Sequence, residues 1–316
     1  MYRPEIKVLD CTIRDGGLMN NWYFSDEFVR AVYQALGAAG VDYMQFGFKS
    51  SESAFSRDEN GPWKFCDDKD IRRIVGDEPT DLKLSAMADI GRIEFDDIAP
   101  KSESLLTMIR VACYIHQMDA AIELAEHCID KGYEVTINLM AVSKVMERDL
   151  DEALDDVAKS RVPILYIVDS FGAMYCEQVE SLAKRYRAAL PDRTIGFHGH
   201  NNQQLAFANT IEGIIHGCNH VDGSLYGIGR GAGNCPLELL MMFLKNPKFD
   251  RRPILDVIQK HLIPLREEIE WGYHMPYIVT GVLNEHPRSA MKFMDEPEHG
   301  SFVDFYNMMM DATEID

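Results

Sequence analysis

His198-Gly199-His200 places two imidazoles two residues apart across a glycine, and Arg14-Asp15 places a guanidinium beside a carboxylate near the other end of the chain. If the histidines end a β-strand, positions i and i+2 share a face and both rings point the same way. Two imidazoles and one carboxylate form a donor set for a divalent cation with positions left open for substrate oxygens. Asp15 offers the carboxylate, and Arg14 offers charge-assisted hydrogen bonds to a developing oxyanion. An HxH pair alone also serves as a polar cap on a strand end, so the weight rests on what could bring these segments together.

Runs rich in β-branched and apolar residues recur at Lys7–Cys11, Val41–Phe48, Lys83–Ala88, Leu105–Cys113, Glu134–Ala141, Ile164–Ser170, Thr194–His200 and His220–Tyr226. They begin about every 30 residues, the length of one strand-plus-helix unit in a parallel α/β protein. Helical stripes lie between them, such as Phe28, Ala31, Val32, Ala35 and Leu36, or Leu150, Ala153, Leu154, Val157 and Ala158. Gly37, Gly132 and Gly217 follow the last periodic residues and are expected to end helices. Eight such units predict an α/β fold: a (β/α)8 TIM barrel over 1–245 that carries the catalytic groups, then a helical C-terminal extension over 246–316. No GxGxxG follows the first strand, which disfavours an open doubly wound sheet. The active face of a barrel lies at the C-terminal ends of its strands, where the first strand would end in Arg14-Asp15 and the seventh in the HxH pair.

The long segment Ser50–Gly76 after the second strand reads as a lid over that face. Beyond Leu244, Pro247, Pro253, Pro264, Pro276 and Pro287 interrupt helical stretches such as Ile254–Leu262 and Leu265–Trp271, and the acidic end Asp311–Asp316 reads as partly frayed.

Of the 316 residues, 32 are Lys or Arg and 51 Asp or Glu, a net charge of −19 that lacks the positive field for nucleic acid or an anionic membrane. No apolar run reaches the roughly 18 residues of a membrane span, and MYRPEIKVLD does not resemble a signal peptide, so a cytoplasmic location is expected. The seven cysteines are scattered without a CxxC pair, which argues against a disulfide framework and a thiolate zinc site.

The run Thr12-Ile13-Arg14-Asp15-Gly16, the HxH pair and the segment from Gly227 to Glu238 (GIGRGAGNCPLE) together resemble the DRE-TIM metallolyase superfamily. That group spans 4-hydroxy-2-oxovalerate aldolases, isopropylmalate, citramalate and homocitrate synthases, 3-hydroxy-3-methylglutaryl-CoA lyase and biotin-dependent carboxyltransferase domains, which handle an enolate held by a divalent metal. The resemblance implies metal ligation by Asp15, His198 and His200 and enolate stabilisation by Arg14. Asp169-Ser170-Phe171-Gly172-Ala173-Met174 and Ile109-Arg110-Val111-Ala112 are similar to segments of the aldolases. The condensing synthases carry an acid where this chain has Asn202 and Glu-Arg where it has Arg230-Gly231.

The aldolases also carry a histidine base where this chain has Leu18, and their C-terminal tyrosine matches Tyr273, with His274 and Tyr277 as competitors. Ser170 is a candidate for holding a substrate carboxylate. Asn234 is either a further ligand or a support for the histidines, and Asn20, Asn21 and Lys49 are candidates for substrate contact. The expected activity is class II aldol cleavage or formation of a 4-hydroxy-2-oxo acid from pyruvate and an aldehyde through a metal-bound enolate. An acyl-CoA-dependent condensing synthase is the alternative, followed by a non-catalytic metal-binding barrel. Mn2+ is the expected metal, ahead of Mg2+, Co2+ or Zn2+. A homo-oligomer is implied by the resemblance alone, and the dehydrogenase partner of related aldolases is not carried over because the C-terminal extension differs. The identity of the aldehyde is open; Lys49, Arg57 and Lys64 hint at an anionic group.

Overall fold

β-Branched and apolar residues fill the eight runs because a closed parallel sheet is covered on both faces, inside by packed side chains and outside by helices. The computed structural model describes residues 1–76, 80–296 and 300–313. Its strands are β1 (Lys7–Asp10), β2 (Tyr43–Phe48), β3 (Lys83–Asp89), β4 (Met108–Cys113), β5 (Glu134–Leu139), β6 (Ile164–Asp169), β7 (Thr194–Gly199) and β8 (Cys218–Gly223). They pair in chain order and close into a barrel, with Val8 of β1 against Val221 of β8. The protein is therefore a TIM barrel followed by C-terminal helices. Each expected run contains a strand, but β1 stops at Asp10, and Thr12–Gly16 form a helical turn where an extended end was expected. β8 starts and ends earlier than expected, at Cys218 and Gly223, and Tyr226 beyond it adopts a left-handed φ of 55°.

Ser25 caps the helix Asp26–Ala39 by accepting from the Phe28 amide, and that helix lays Phe28, Val29, Val32 and Leu36 on the sheet. It does not end at Gly37. Gly40 takes the left-handed turn, with φ 74°, where a Cβ would lie 2.5 Å from the Lys248 carbonyl oxygen. Gly132 and Gly217 do follow helices, Met118–Asp130 and Ala206–Ile215, in the left-handed region.

The segment 50–76 does not act as a lid in this structure, since none of its residues lines the central cavity. Trp63 is wholly buried and stacks on Phe46 of β2, clamping the segment to the barrel's flank. Gly47 makes that close approach possible: a Cβ there would come within 1.8 Å of the Trp63 carbonyl oxygen.

After the barrel, the break expected at Pro264 does not occur. Arg252–Val257 runs through a π-helical turn, Ile258–Leu262, into Ile263–Glu268, with Pro264 in the first turn of the latter. This last helix stops at Glu268, not Trp271. The Trp271 ring is buried, and its Nε1 donates to the Tyr226 carbonyl at 3.1 Å. Ile254, Val257 and Leu262 join the barrel's core, whereas Tyr277, Ala290 and Phe305 of the later helices form a smaller cluster with Ala232. The acidic end is only partly described, as part of the helix Phe302–Thr313; residues 314–316 lie outside the described residues. No helix among the described residues is long and apolar enough to cross a membrane.

Replacing Trp63 with Ala removes the clamp's largest side chain from a site with no room to collapse. The expected cost is about 3–5 kcal/mol, read as a lowered denaturant midpoint at unchanged slope.

Candidate metal centre and cavity

Asp10 turns the chain at the end of β1: its carboxylate accepts from the Thr12 amide at 3.1 Å and from Thr12 Oγ1 at 2.6 Å. Thr12 Oγ1 in turn accepts from the Leu225 amide, which ties this turn to the loop after β8. The resulting helical turn aims the consecutive side chains of Arg14 and Asp15 at the barrel mouth. Arg14 Nη1 donates to Asp15 Oδ1 at 2.5 Å and its Nε to Gln45 Oε1 at 3.0 Å. Burial alone would raise the Asp15 pKa, but the Arg14 guanidinium beside it holds it well below the usual carboxylate range.

His198, at the end of β7, faces the same point with a fixed tautomer. Its Nδ1 lies 3.0 Å from Asp222 Oδ2, and Arg110 Nη2 donates to that same oxygen at 2.6 Å. Burial favours a neutral Asp222 carboxyl, yet Arg110 and His198 bring its pKa down to about 2. An ionised Asp222 accepts from Nδ1–H, so the His198 Nε2 lone pair is left pointing into the site. Burial, the largest influence on both rings, lowers the pKa of His198 and that of His200 far more, so the imidazoles are neutral.

Among the described residues His198 Nε2 and His200 Nδ1 find no hydrogen-bond partner though both are buried, and His200 Nδ1 is 3.8 Å from Asp15 Oδ2. One donor atom from each of Asp15, His198 and His200 lies within 4.8 Å of the others. Unsatisfied neutral nitrogens beside an ionised carboxylate are costly unless something binds them, and this buried triad is consistent with a divalent metal site.

Asn234 reaches the triad from the GIGRGAGN loop, donating from Nδ2 to Asp15 Oδ2 at 2.6 Å and to the Ile228 carbonyl at 3.1 Å. These contacts brace the Asp15 carboxylate. Gly229 makes room for them: its Cβ would sit 2.3 Å from Asn234 Nδ2 and 2.6 Å from Asp15 Oδ2. Asn202, at the position where condensing synthases carry an acid, is buried and donates to the Phe171 carbonyl, so it supports the loop after β6.

A cavity of about 300 Å3 opens above the triad. Ser170 lines it, its Oγ accepting from the Ala141 amide at 2.8 Å and its carbonyl accepting from Arg230 Nη2 at 3.0 Å. Other expected contacts lie elsewhere. Tyr273 is 61% exposed, with its hydroxyl 3.8 Å from Met275 Sδ, and does not line the cavity. His274 pairs with Glu270, and Tyr277 is buried in the C-terminal cluster. Lys49 lines a separate outer pocket with Glu52, Arg57 and Asp67. Asn21 stands in a left-handed turn whose carbonyl accepts from the Gly61 amide, and Asn20 donates to the Tyr23 carbonyl. Arg57 is paired with Glu52 and Asp67. Lys64 is caged over the rings of Phe55, Trp22 and Phe48, where burial pushes its pKa down to about 8.

In their place the cavity wall holds Asp89, Arg92, Tyr114, Arg230, His286 and Arg288, whose roles were not read from the sequence. Arg110 could have been suspected as a charge inside an otherwise apolar strand. His286 and Arg288 carried no local signal, since the fold alone brings the C-terminal segment over the mouth.

Residues 5–261 match the family described as HMGL-like, and the chain belongs to that family. It is 33% identical to an oxaloacetate decarboxylase of Mycobacterium tuberculosis over 75% of this chain and 69% of that one. It is 30% identical to a 4-hydroxy-2-oxovalerate aldolase of Thermus thermophilus, over 86% and 81% of the two chains. Among solved structures, the N-terminal domain of a candidate aldolase from Bacteroides vulgatus superposes with a TM-score of 0.74 at 28% identity, covering 92% of this chain and 96% of that one.

Asp222→Asn should leave the buried Arg110 charge uncompensated and free the His198 ring to turn. We expect a loss of about 3–5 kcal/mol in stability and roughly 10–100-fold weaker divalent metal binding, measured by denaturant unfolding and by metal titration of the folded fraction.

Proposed function

We propose that the protein is a divalent-metal-dependent aldolase that cleaves or forms a 4-hydroxy-2-oxo acid, with pyruvate as one partner and an aldehyde as the other. The observation that carries this reading is the juxtaposition of the buried Asp15, His198 and His200 triad with Arg14 in the wall of one cavity. Asp15, His198 and His200 would hold a divalent cation, Mn2+ in our reading, which would supply Lewis acidity at the 2-oxo end of the substrate.

The chain's own groups do the rest. Asp15 and Gln45 hold Arg14 in place through Nη1 and Nε. Its Nη2, which has no protein acceptor among the described residues, faces the 2-oxo oxygen as charge develops there. The Ser170 hydroxyl, already accepting from Ala141, has its proton free to donate to the substrate carboxylate.

The 4-hydroxyl proton needs an acceptor, and Leu18 in the cavity wall cannot provide one. Asp89, at the end of β3, takes that role in this reading. Its Oδ2 is held by Arg92 at 3.1 Å, its Oδ1 is buried without a partner, and burial raises its pKa toward the range useful to a general base.

A second reading is favoured by the relative named oxaloacetate decarboxylase. Loss of carbon dioxide from C3 of a 2-oxo acid places the same charge on the 2-oxo oxygen and needs no hydroxyl base, which suits Leu18. The two are separated by product: carbon dioxide from oxaloacetate without any aldehyde, against an aldehyde from a 4-hydroxy-2-oxo acid.

The direct test is exchange of the pyruvate methyl hydrogens in deuterated water by metal-loaded protein, followed by mass spectrometry. Metal-dependent exchange is expected; its absence overturns a pyruvate enolate. Arg14→Ala should keep its metal and lose about 10²–10³-fold in rate, whereas Asp15→Ala and His200→Ala should lose metal and activity together. Asp89→Asn should slow aldol turnover by roughly 10²–10⁴-fold, checked by steady-state kinetics; a variant retaining most of its rate removes Asp89 from proton transfer.

A further inference from the structure

Charge pairing within the cavity is incomplete. Arg14 is matched by Asp15, Arg92 by Asp89 and, beneath them, Arg110 by Asp222. Arg230 and Arg288 also line the cavity, and neither forms an ion pair among the described residues. Arg230 comes from the loop after β8 and lies between its two contacts, the Ser170 carbonyl and His286 Nε2, each 3.0 Å away. Its Nε is buried and has no acceptor among the described residues.

His286 sharpens the deficit. Its Nδ1 lies 3.0 Å from the Arg288 amide and its Nε2 faces Arg230 Nη1, so hydrogen-bond donors approach both ring nitrogens. A neutral imidazole accepts at only one nitrogen. This corner therefore has more donors than acceptors, and a protonated ring would make the shortage worse. Burial and then the two arginines push the His286 pKa down to about 3, which reports the positive potential of the corner.

Leu18, Arg230, His286 and Arg288 also line an outer chamber, so the corner lies where the cavity continues outward; that chamber's other walls include Lys292, Asp295 and Glu296. A ligand anchored by its 2-oxo acid end on the triad extends past Leu18 toward these arginines.

We infer that Arg230, Arg288 and His286 form a subsite for an acid group at the far end of the 2-oxo acid substrate, so that the carbonyl partner joined or released carries a carboxylate or a phosphate. The substrate class rests on the aldolase reading, while the preference for a second acid group is testable without turnover. An anion here supplies the missing acceptors: Arg230 Nε–H and the Arg288 guanidinium donate to it, and whichever His286 nitrogen carries the proton donates as well.

The test is calorimetric titration of metal-loaded protein with unreactive 2-oxo acids in matched pairs. 2-Oxoglutarate is set against 2-oxopentanoate and 2-oxoadipate against 2-oxohexanoate, with 2-oxo-4-phosphonobutyrate as the phosphate-like arm. We expect the second acid group to tighten binding by about tenfold or more in at least one pair. Arg288→Met, at an exposed position that tolerates substitution, and Arg230→Met should each reduce that advantage to about threefold or less, with Arg288→Lys restoring part of it. A phosphonate preferred over both carboxylates points to a phosphorylated partner, and the reverse to a dicarboxylic substrate. Equal affinities within both pairs together with no gain from the phosphonate, or an advantage unchanged in both methionine variants, overturns the subsite. Pyruvate exchange measured on the same preparation separates the two claims. Exchange without an acid preference removes the subsite alone, and an acid preference without exchange removes the aldolase reading and leaves the subsite standing.

Discussion

A guanidinium with no access to solvent stands in the middle of this barrel, and a buried charge of that kind is tolerated only when its partners are rigidly supplied. Arg110 has Asp222 at 2.6 Å, Gln45 at 3.1 Å and the face of the Tyr166 ring at 4.5 Å. Each partner then constrains something else. Asp222 fixes His198, and Gln45 shares its oxygen with Arg14, which holds Asp15. The chain Arg14, Gln45, Arg110, Asp222, His198 joins β2, β4, β7 and β8 to the turn after β1 by side chains alone. The geometry of Asp15 and His198 is thus set from below, by a polar interior in which the members make one another tolerable.

This arrangement separates positioning from reaction. Asp15 is held by hydrogen bonds from Arg14 and Asn234, and His198 by Asp222, before anything enters the cavity. A metal or substrate arriving at the mouth meets groups that have already lost their freedom to rotate. Less reorganisation is then needed when charge develops, which is where pre-arranged donors gain over water.

Much of this was legible in the residues. The rhythm of apolar runs marked all eight strands because barrel strands are buried on both faces, and the HxH spacing brought both imidazoles to one face because strand periodicity is strict. What escaped was set by distance along the chain. Gln45 and Arg110 each look like an isolated polar residue in an apolar strand, Asp222 is one of several polar residues in its own, and only closure of the barrel makes them neighbours. Gly37 misled because a helix tolerates glycine in its interior, whereas Gly40 is the position that requires a left-handed backbone. Tyr273 misled because the C-terminal segment follows its own course: Trp271 is anchored to the Tyr226 carbonyl, and the chain beyond it presents His286 to the cavity and leaves Tyr273 outside.

The division of the cavity wall between two stretches of chain has a consequence of its own. The floor belongs to strand ends locked into the hydrogen-bonded interior, where almost any exchange of residue disturbs folding and chemistry together. His286 and Arg288 instead hang from helices that pack in a separate cluster around Ala232, Tyr277, Ala290 and Phe305. Residues on that wall can be traded without touching Asp15, His198 or His200. A protein built this way keeps one reaction while remaining free to change the molecules on which it is performed.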